Sequence, residues 1–485
     1  MNETPKKKIT PIRVLRRLLL ALGLFLLCII VSVTLPYAFN HPDVSEDFRN
    51  WVESTDFTNT APGADRVRLI TDNQEALEER IRLISQAEER IIYVTFDFRP
   101  DNSGQDVLAL LLNAAERGVE VEILIDGMTA YDQLGNTAYF QALAAQPNAE
   151  IRHYNAPNFF RPLEVHGRMH DKYVIVDEDF YLLGGRNTYD YFLGSYPTEH
   201  PSQDLEVLVW NTAGDDTQGS MAELLDYFGK VWSLETTKPW CDDEALLTRS
   251  HVREAAATLA QRYDWLEETY PDAFTAPEDG SDTVEAGAIH LLSNPTCTTV
   301  KEPQVLYALT CLLAQGTEEV FIETPYAVCN DVMYDSLTQI ARSVPSVTML
   351  VNSVESGDNL MASSDYLRSK GDVIDTGISL WEYSGSLSSH GKCAVIDNDI
   401  AILGSFNWDM RAAYLDTELM LVIPSEEFAR ELKDYELELL TQSLQCVDES
   451  RYEVTDGVAL PEMGLGKTVL LSILQVLTAP MRYLL

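Results

Sequence analysis

The segment His170-Asp171-Lys172-Tyr173-Val174-Ile175-Val176-Asp177, followed by Leu183-Gly184-Gly185-Arg186-Asn187, has a counterpart later in the chain. There the reading is His390-Gly391-Lys392-Cys393-Ala394-Val395-Ile396-Asp397, followed by Leu403-Gly404-Ser405-Phe406-Asn407. Counted from each histidine, Lys stands at +2, Asp at +7, Gly at +14 and Asn at +17 in both copies. Each copy is an apolar run, a turn (Asp177-Glu178-Asp179 or Asp397-Asn398-Asp399) and a second apolar run, which is the pattern of a β-hairpin. On a strand, residues i and i+2 share a face, so each hairpin presents an imidazole beside an ammonium.

The Asp at +7 has the opposite parity and sits at the turn, where it fixes local geometry. The Asn at +17 returns toward the histidine end with an amide donor. Further on, Asp204 and Glu418 occupy similar strand starts, and either carboxylate is placed to hold a histidine through its second nitrogen. Gly185 and Ser405 at +15 read as supporting positions. Such a set suits phosphoryl chemistry. One imidazole attacks phosphorus, the other protonates the leaving oxygen and later deprotonates the acceptor, and two Lys and two Asn steady the non-bridging oxygens. The expected catalytic set is His170, Lys172, Asp177, His390, Lys392 and Asp397, with Asn187 and Asn407 joining the lysines on phosphate. No metal and no cofactor is required. The remaining histidines (His41, His153, His166, His200, His251 and His290) lack this context and read as core or surface residues, while Arg186 and Arg411 are as readily structural ion pairs as substrate ligands.

Around the first motif the order is βαβαβ: Val67–Ile70 strand, a helix capped by Asp72 or Asn73, Ile91–Phe98 strand, Val107–Arg117 helix and Val119–Ile125 strand. The order returns before the second motif over 289–292, 304–314, 320–324, 332–341 and 347–352. Such alternation predicts mostly parallel sheets flanked by helices. The expected fold class is α/β with two similar domains, 66–240 and 286–445, joined by an acidic, largely helical connector at 241–285 that ends in a Pro277-Glu278-Asp279-Gly280-Ser281 break. Residues 40–65 read as a polar, irregular linker and 446–485 as a tail with a short apolar segment, 469–481, that either packs on the body or lies in a membrane interface. Within it, Gly464-Leu465-Gly466-Lys467-Thr468 imitates a nucleotide phosphate loop, but Pro461 stands where the first glycine is required.

The formal net charge is −41. Residues 1–40 hold Lys6, Lys7, Lys8, Arg13, Arg16 and Arg17 against Glu3, so the remainder carries 29 basic and 75 acidic residues, a net −46. Nucleic-acid binders neutralise phosphates with Lys and Arg, so this balance argues against a nucleic-acid partner. Residues 18–39 form a run of 22 without a charged side chain, matching the ~20 apolar residues of a membrane span. With the basic residues 1–17 before it, the positive-inside rule places the N-terminus in the cytoplasm and the catalytic body outside, on a single-pass anchor. A cleaved signal peptide is the competing reading, though no small-x-small site follows. Of seven cysteines, six lie in the body, and neither disulfides nor buried thiols are selected by their spacing.

At these residues the sequence resembles the phospholipase D superfamily, whose signature is H-x-K-x4-D twice with G-x-x-N following. Arg168 to Lys172, Gly184 to Asn187, Gly404 to Arg411 and Thr417-Glu418 look like bacterial cardiolipin synthases. The resemblance implies two domains face to face around a pseudo-twofold axis, one site per chain, and a covalent phosphatidyl-histidine intermediate with His170 as nucleophile and His390 as general acid and base. It also implies phosphatidyl transfer between membrane phospholipids, phosphatidylglycerol among them. Hydrolysis to phosphatidic acid is the alternative, and a nuclease or a binding scaffold are weaker ones.

Overall fold

The computed structural model describes residues 11–133, 137–158, 160–199, 201–213, 219–241, 245–275, 280, 282–357, 359–453, 457–460 and 463–485. The expected basic tail at Lys6 to Lys8, His200, most of the 277–281 break and Pro461 lie outside the described residues.

Two nine-stranded sheets share the order and direction of eight strands and carry the ninth at opposite edges. In the first the order is Val284–Glu285, Asp65–Ile70, Glu206–Asn211, Phe180–Gly184, Tyr173–Val176, Arg90–Thr95, Glu120–Asp126, Ala149–Tyr154 and Thr237–Pro239. In the second it is His290–Ser293, Leu419–Pro424, Ile400–Gly404, Cys393–Ile396, Glu319–Glu323, Ser346–Asn352, Ser379–Tyr383, Ser443–Cys446 and Tyr452–Glu453. Each motif hairpin thus lies in the interior of its sheet, with strands on both sides. Those positions are covered on both faces, which explains why the strands read as unbroken apolar runs.

The sheets are mixed, which corrects the expectation of mostly parallel ones. Only Arg90–Thr95 with Glu120–Asp126 and Glu120–Asp126 with Ala149–Tyr154 are parallel in the first sheet. In the second the parallel pairs are Glu319–Glu323 with Ser346–Asn352 and Ser346–Asn352 with Ser379–Tyr383. The helical crossovers produce the parallel pairs, as at Asn102–Arg117, which Asp101 caps through Gly104 N–H (3.2 Å) and Gly118 ends at φ 104°. The hairpins and the strands that return beside them are necessarily antiparallel.

Three apolar clusters hold the body. One belongs to the first half of the chain and one mainly to the second. The third takes Ile92, Tyr181 and Leu205 from the first half and Phe321, Val395 and Leu421 from the second, together with the helices Gly219–Trp232 and Glu426–Leu440. Burial of that shared cluster brings the two motifs together.

The flanking segments differ from expectation. Residues 40–65 contain the helix Glu46–Ser54, because Val52 and Phe57 bury against the second half. The connector is part of the first half's architecture. Its helix Ser250–Thr269 packs on Asn102–Arg117, and Val284–Glu285 forms the sheet edge beside Asp65–Ile70. The second sheet continues past residue 445 through Tyr452–Glu453. All seven cysteines are free. At the N-terminus a helix runs over Pro11–Thr34 and stops short of Phe39, because Leu35–Ala38 tighten into a 3₁₀ turn that buries Tyr37 edge-on to His166. Among the described residues no helix is long and apolar enough to cross a membrane.

Candidate active site

Each histidine stands one residue before a buried stretch that opens its hairpin, and each is tied to the other half of the chain. Met169 bridges to Thr417, and His170 N–H donates to Thr417 O at 3.3 Å. Reciprocally, Ser388–Ser389 runs parallel to Ser202–Gln203, and His390 N–H donates to Gln203 O at 2.8 Å. The residue after each of these partners is an acid. His170 Nδ1 lies 2.9 Å from Glu418 Oε1, and His390 Nδ1 lies 2.5 Å from Asp204 Oδ2. The motif of one half is therefore completed by the carboxylate of the other.

The two carboxylates are steadied differently. Ser405 Oγ donates to Glu418 Oε2 at 2.5 Å. At the equivalent Gly185 a Cβ would fall 2.3 Å from Asp204 Oδ1, so only glycine leaves room for the shorter acid to close on its histidine. Asp204 Oδ1 accepts from Leu205 N–H at 2.8 Å instead.

Electrostatics separate the pair further. Burial pushes the His170 imidazole well below its ordinary value, with Lys172, Lys392 and His390 adding to the effect. Burial pushes the Glu418 carboxyl well up against the pull of Lys172 and Ser405. Burial thus disfavours the charged form of both the ring and the carboxyl across this contact. At Asp204 burial acts upward too, but Lys392, His390 and Arg186 outweigh it and the carboxyl is lowered. An anion therefore faces His390.

Both lysines are buried and donate to the carbonyl of their own histidine, Lys172 to His170 O at 2.5 Å and Lys392 to His390 O. Lys392 Nζ also lies 2.7 Å from His390 Nδ1. Burial lowers Lys172 to about 7, Glu418 opposing and Lys392 reinforcing. His170, His390 and Asn187 line a cleft of about 460 Å³ with Phe96, Tyr326, Asn359, Leu360 and Met361. Asn187 Oδ1 accepts from Asp97 N–H at 3.3 Å, and Asn407 Nδ2 donates to Tyr326 O–H at 3.3 Å.

Asp177 and Asp397, expected within the catalytic set, are elsewhere. Asp177 accepts from the N–H groups of Glu88, Glu89 and Arg90 at 2.7, 2.8 and 2.8 Å, and Asp397 from those of Thr317, Glu318 and Glu319 at 2.9, 2.9 and 3.0 Å. Both take positive φ, 52° and 53°. They clamp the far end of each hairpin to the start of the neighbouring strand, separated from the histidine by a strand that rises ~3.3 Å per residue. Arg186 is buried among backbone carbonyls, including Phe192 O and Thr71 O at 2.9 Å, and Arg411 pairs with Asp416 at 3.0 Å. Both serve the scaffold.

Sequence reasoning missed the walls of the cleft. Phe96, in the wall, lies edge-on to His170 at 5.2 Å, and Phe192, buried outside the lining, is tilted against His390 at 4.9 Å. Neither belongs to the repeated pattern, and Phe96 falls inside a run read as continuous strand.

Comparison with known proteins agrees with this geometry. Residues 80–232 and 309–438 match the family described as cardiolipin synthase, PLD-like domain. Cardiolipin synthase C of Escherichia coli is 25% identical over 393 residues, covering 73% of this chain and 80% of that protein. Cardiolipin synthase A of Pseudomonas aeruginosa is 25% identical over 394 residues, covering 80% and 70%. In fold the chain is similar to the crystal structure of phosphatidylserine synthase from Haemophilus influenzae, with a TM-score of 0.62 at 16% identity over 91% of this chain and 100% of that one. The two motifs, their exchanged carboxylates and the span of the match lead to one assignment: this chain belongs to the cardiolipin synthase, phospholipase D-like domain family.

Proposed function

We propose that the protein is a phosphatidyltransferase of the cardiolipin synthase type, working on phospholipids through a phosphohistidine. The observation that carries this reading is the pair of imidazoles facing one cleft, each with its Nδ1 on a carboxylate from the opposite half. In the tautomer whose Nδ1–H donates to Glu418, the Nε2 lone pair of His170 is left for attack on phosphorus. Its depressed basicity keeps that lone pair unprotonated at neutral pH. His390, whose Nδ1 lies on the anionic Asp204, is the proton-transferring partner.

In the first step the His170 Nε2–P bond forms, the P–O bond to the donor's headgroup breaks, and His390 gives its proton to the departing alkoxide. In the second, His390 takes the proton of an acceptor hydroxyl as that oxygen attacks phosphorus and His170 leaves. A glycerol hydroxyl of phosphatidylglycerol as acceptor gives cardiolipin, whereas water gives phosphatidic acid. Lys172, Lys392, Asn187 and Asn407 supply donors to the non-bridging oxygens.

Association with a lipid surface is part of the proposal. Leu18, Leu20, Leu22, Leu24 and Phe25 of the N-terminal helix are exposed, and the C-terminal helix Leu465–Thr478 exposes Leu465, Val469, Ile473, Val476 and Leu477. The turn Leu35–Ala38 touches the C-terminal Ala479–Leu484, so the two apolar elements meet.

The test is incubation of the full chain in vesicles containing labelled phosphatidylglycerol, with products resolved by thin-layer chromatography. Cardiolipin with released glycerol is expected. Phosphatidic acid alone would replace transfer by hydrolysis, and absence of both products would overturn the lipid reading.

A further inference from the structure

Beside the catalytic cleft lies a second and larger cavity, of about 890 Å³, and Leu360 lines both. Its walls come from Ser353 to Gly357, from Ser384 to Ser388, and from the start of the C-terminal helix at Gly466 and Lys467. The middle wall is the segment that runs directly into Ser389 and His390. Ligand sites are commonly ~300–1,000 Å³, so the size suits a lipid headgroup with the first part of its chains.

The lining is rich in hydroxyl groups. Ser353, Ser356, Ser384, Ser386 and Ser388 all face it. Ser384 Oγ is buried with no hydrogen-bond partner among the described residues. Ser356 Oγ donates to Tyr383 O at 2.9 Å and lies 2.9 Å from Ser353 Oγ, which also accepts from Ser356 N–H at 3.2 Å, so this pair fixes the shape of the wall. Leu460 and Leu470 supply an apolar side, and Lys467, which donates to Glu355 O at 3.1 Å, brings an ammonium to the rim. Glu199 and Glu355 also line it, so hydroxyls that donate and accept, two acids that accept from polyol hydroxyls, one ammonium at the rim and an apolar margin make the complement of a polyol headgroup carrying acyl chains.

We infer that this cavity is the acceptor site, holding the glycerol headgroup of the second lipid so that its hydroxyl reaches the phosphorus held between His170 and His390. The inference rests on the transferase reading above. It also gives a physical reason for transfer to exceed hydrolysis: an acceptor held beside the cleft gains effective concentration over diffusing water.

Two substitutions fill the cavity without touching the catalytic groups. Gly466 is exposed in the first turn of its helix, and a Cβ there meets no atom within 4 Å, so Gly466→Phe is accommodated and improves helix propensity. Ser386 is exposed in a loop, so Ser386→Trp is likewise tolerated. Gly229, also exposed and open within its helix, provides the control Gly229→Phe. Cardiolipin and phosphatidic acid are measured together with phosphatidylglycerol as the only lipid substrate.

The expected result is a shift of the cardiolipin to phosphatidic acid ratio by about tenfold or more toward hydrolysis in both variants, total donor consumption being kept within about twofold of the control. An unchanged ratio, or equal loss of both products, with cardiolipin still made by the unmodified chain, overturns the acceptor site alone. Phosphatidic acid as the sole product of the unmodified chain overturns the transferase reading and this inference with it.

Discussion

The Nδ1 atom of His170 and the Oε1 atom of Glu418 lie 2.9 Å apart although 248 positions separate them in the chain. With the reciprocal His390 and Asp204 contact, this makes each motif dependent on the opposite half for ring orientation. Glu418→Gln and Asp204→Asn are expected to lower kcat by about 10²- to 10⁴-fold with little change in KM, since tautomer and orientation are lost while the binding groups stay. The serine and glycine solutions differ in the same assay. Ser405→Ala removes the hydrogen bond to Glu418 and the one accepted from Leu419 N–H and is expected to cost about tenfold, whereas Gly185→Ala drives a Cβ into Asp204 and should match Asp204→Asn. Equal effects at the two positions would contradict the packing argument.

The roles of the two histidines separate with a donor whose leaving group needs no proton. On a p-nitrophenyl phosphodiester, His390→Ala should still release a burst of nitrophenolate and leave an acid-labile, base-stable phosphoryl group on the protein, because His170 attacks unaided. His170→Ala should give neither. The opposite pattern exchanges nucleophile and acid.

Lys172 supplies an alkaline limit. Its ammonium is lowered to about 7 in the free protein, burial being the main cause. The charge that steadies the phosphoryl oxygens is present below that value and lost above it, so kcat/KM should fall as pH rises through about 7. A bound phosphodiester anion favours the protonated amine, so the alkaline limb of kcat should lie higher. His170, lowered well below its ordinary value, places the acid limb below the usual histidine range. Measured pH profiles in which both parameters share one alkaline limb near the ordinary lysine range would refute the assignment.

Asp397 contributes to stability rather than chemistry. Burial acts to raise its carboxyl, but the N–H groups of Thr317, Glu319 and Glu318 hold it below the ordinary value. A carboxyl lowered on folding stabilises fully above its unfolded value, and the contribution fades as pH falls through the folded one. Asp397→Ala should therefore destabilise by about 2–4 kcal/mol at neutral pH through three unpaired N–H groups and a strained positive φ, and by less in acid. Denaturant melts at two pH values check this, and the protein still folded should keep its specific activity.

The lipid surface is read by two apolar elements. Removal of residues 1–39 alone should leave part of the protein on sedimented vesicles, and adding Val469→Asp with Ile473→Asp, at exposed positions of the C-terminal helix, should release it. Complete release by the truncation alone would leave the C-terminal helix without that role.

The sequence by itself determined the repeat. Lys at +2, Asp at +7, Gly at +14 and Asn at +17 recur because a hairpin has a period of two and a fixed return, so spacing translates directly into shared faces. From it follow the two hairpins and, among the side chains it singles out, His170, His390 and Asn187 at the cleft. Tertiary structure decided which carboxylate serves which histidine, because Asp204 lies nearer in sequence to His170 yet binds His390, and only the apolar cluster shared by the two sheets brings about that exchange. It also decided the mixed pairing of the sheets, since strand direction at a hairpin's outer neighbours depends on where the chain returns. Likewise it removed Asp177 and Asp397 from the cleft, and set Phe96, Tyr326 and Leu360 at its walls. Those residues carry no periodic signal, because a cleft is defined by what packs around it and not by spacing along one strand.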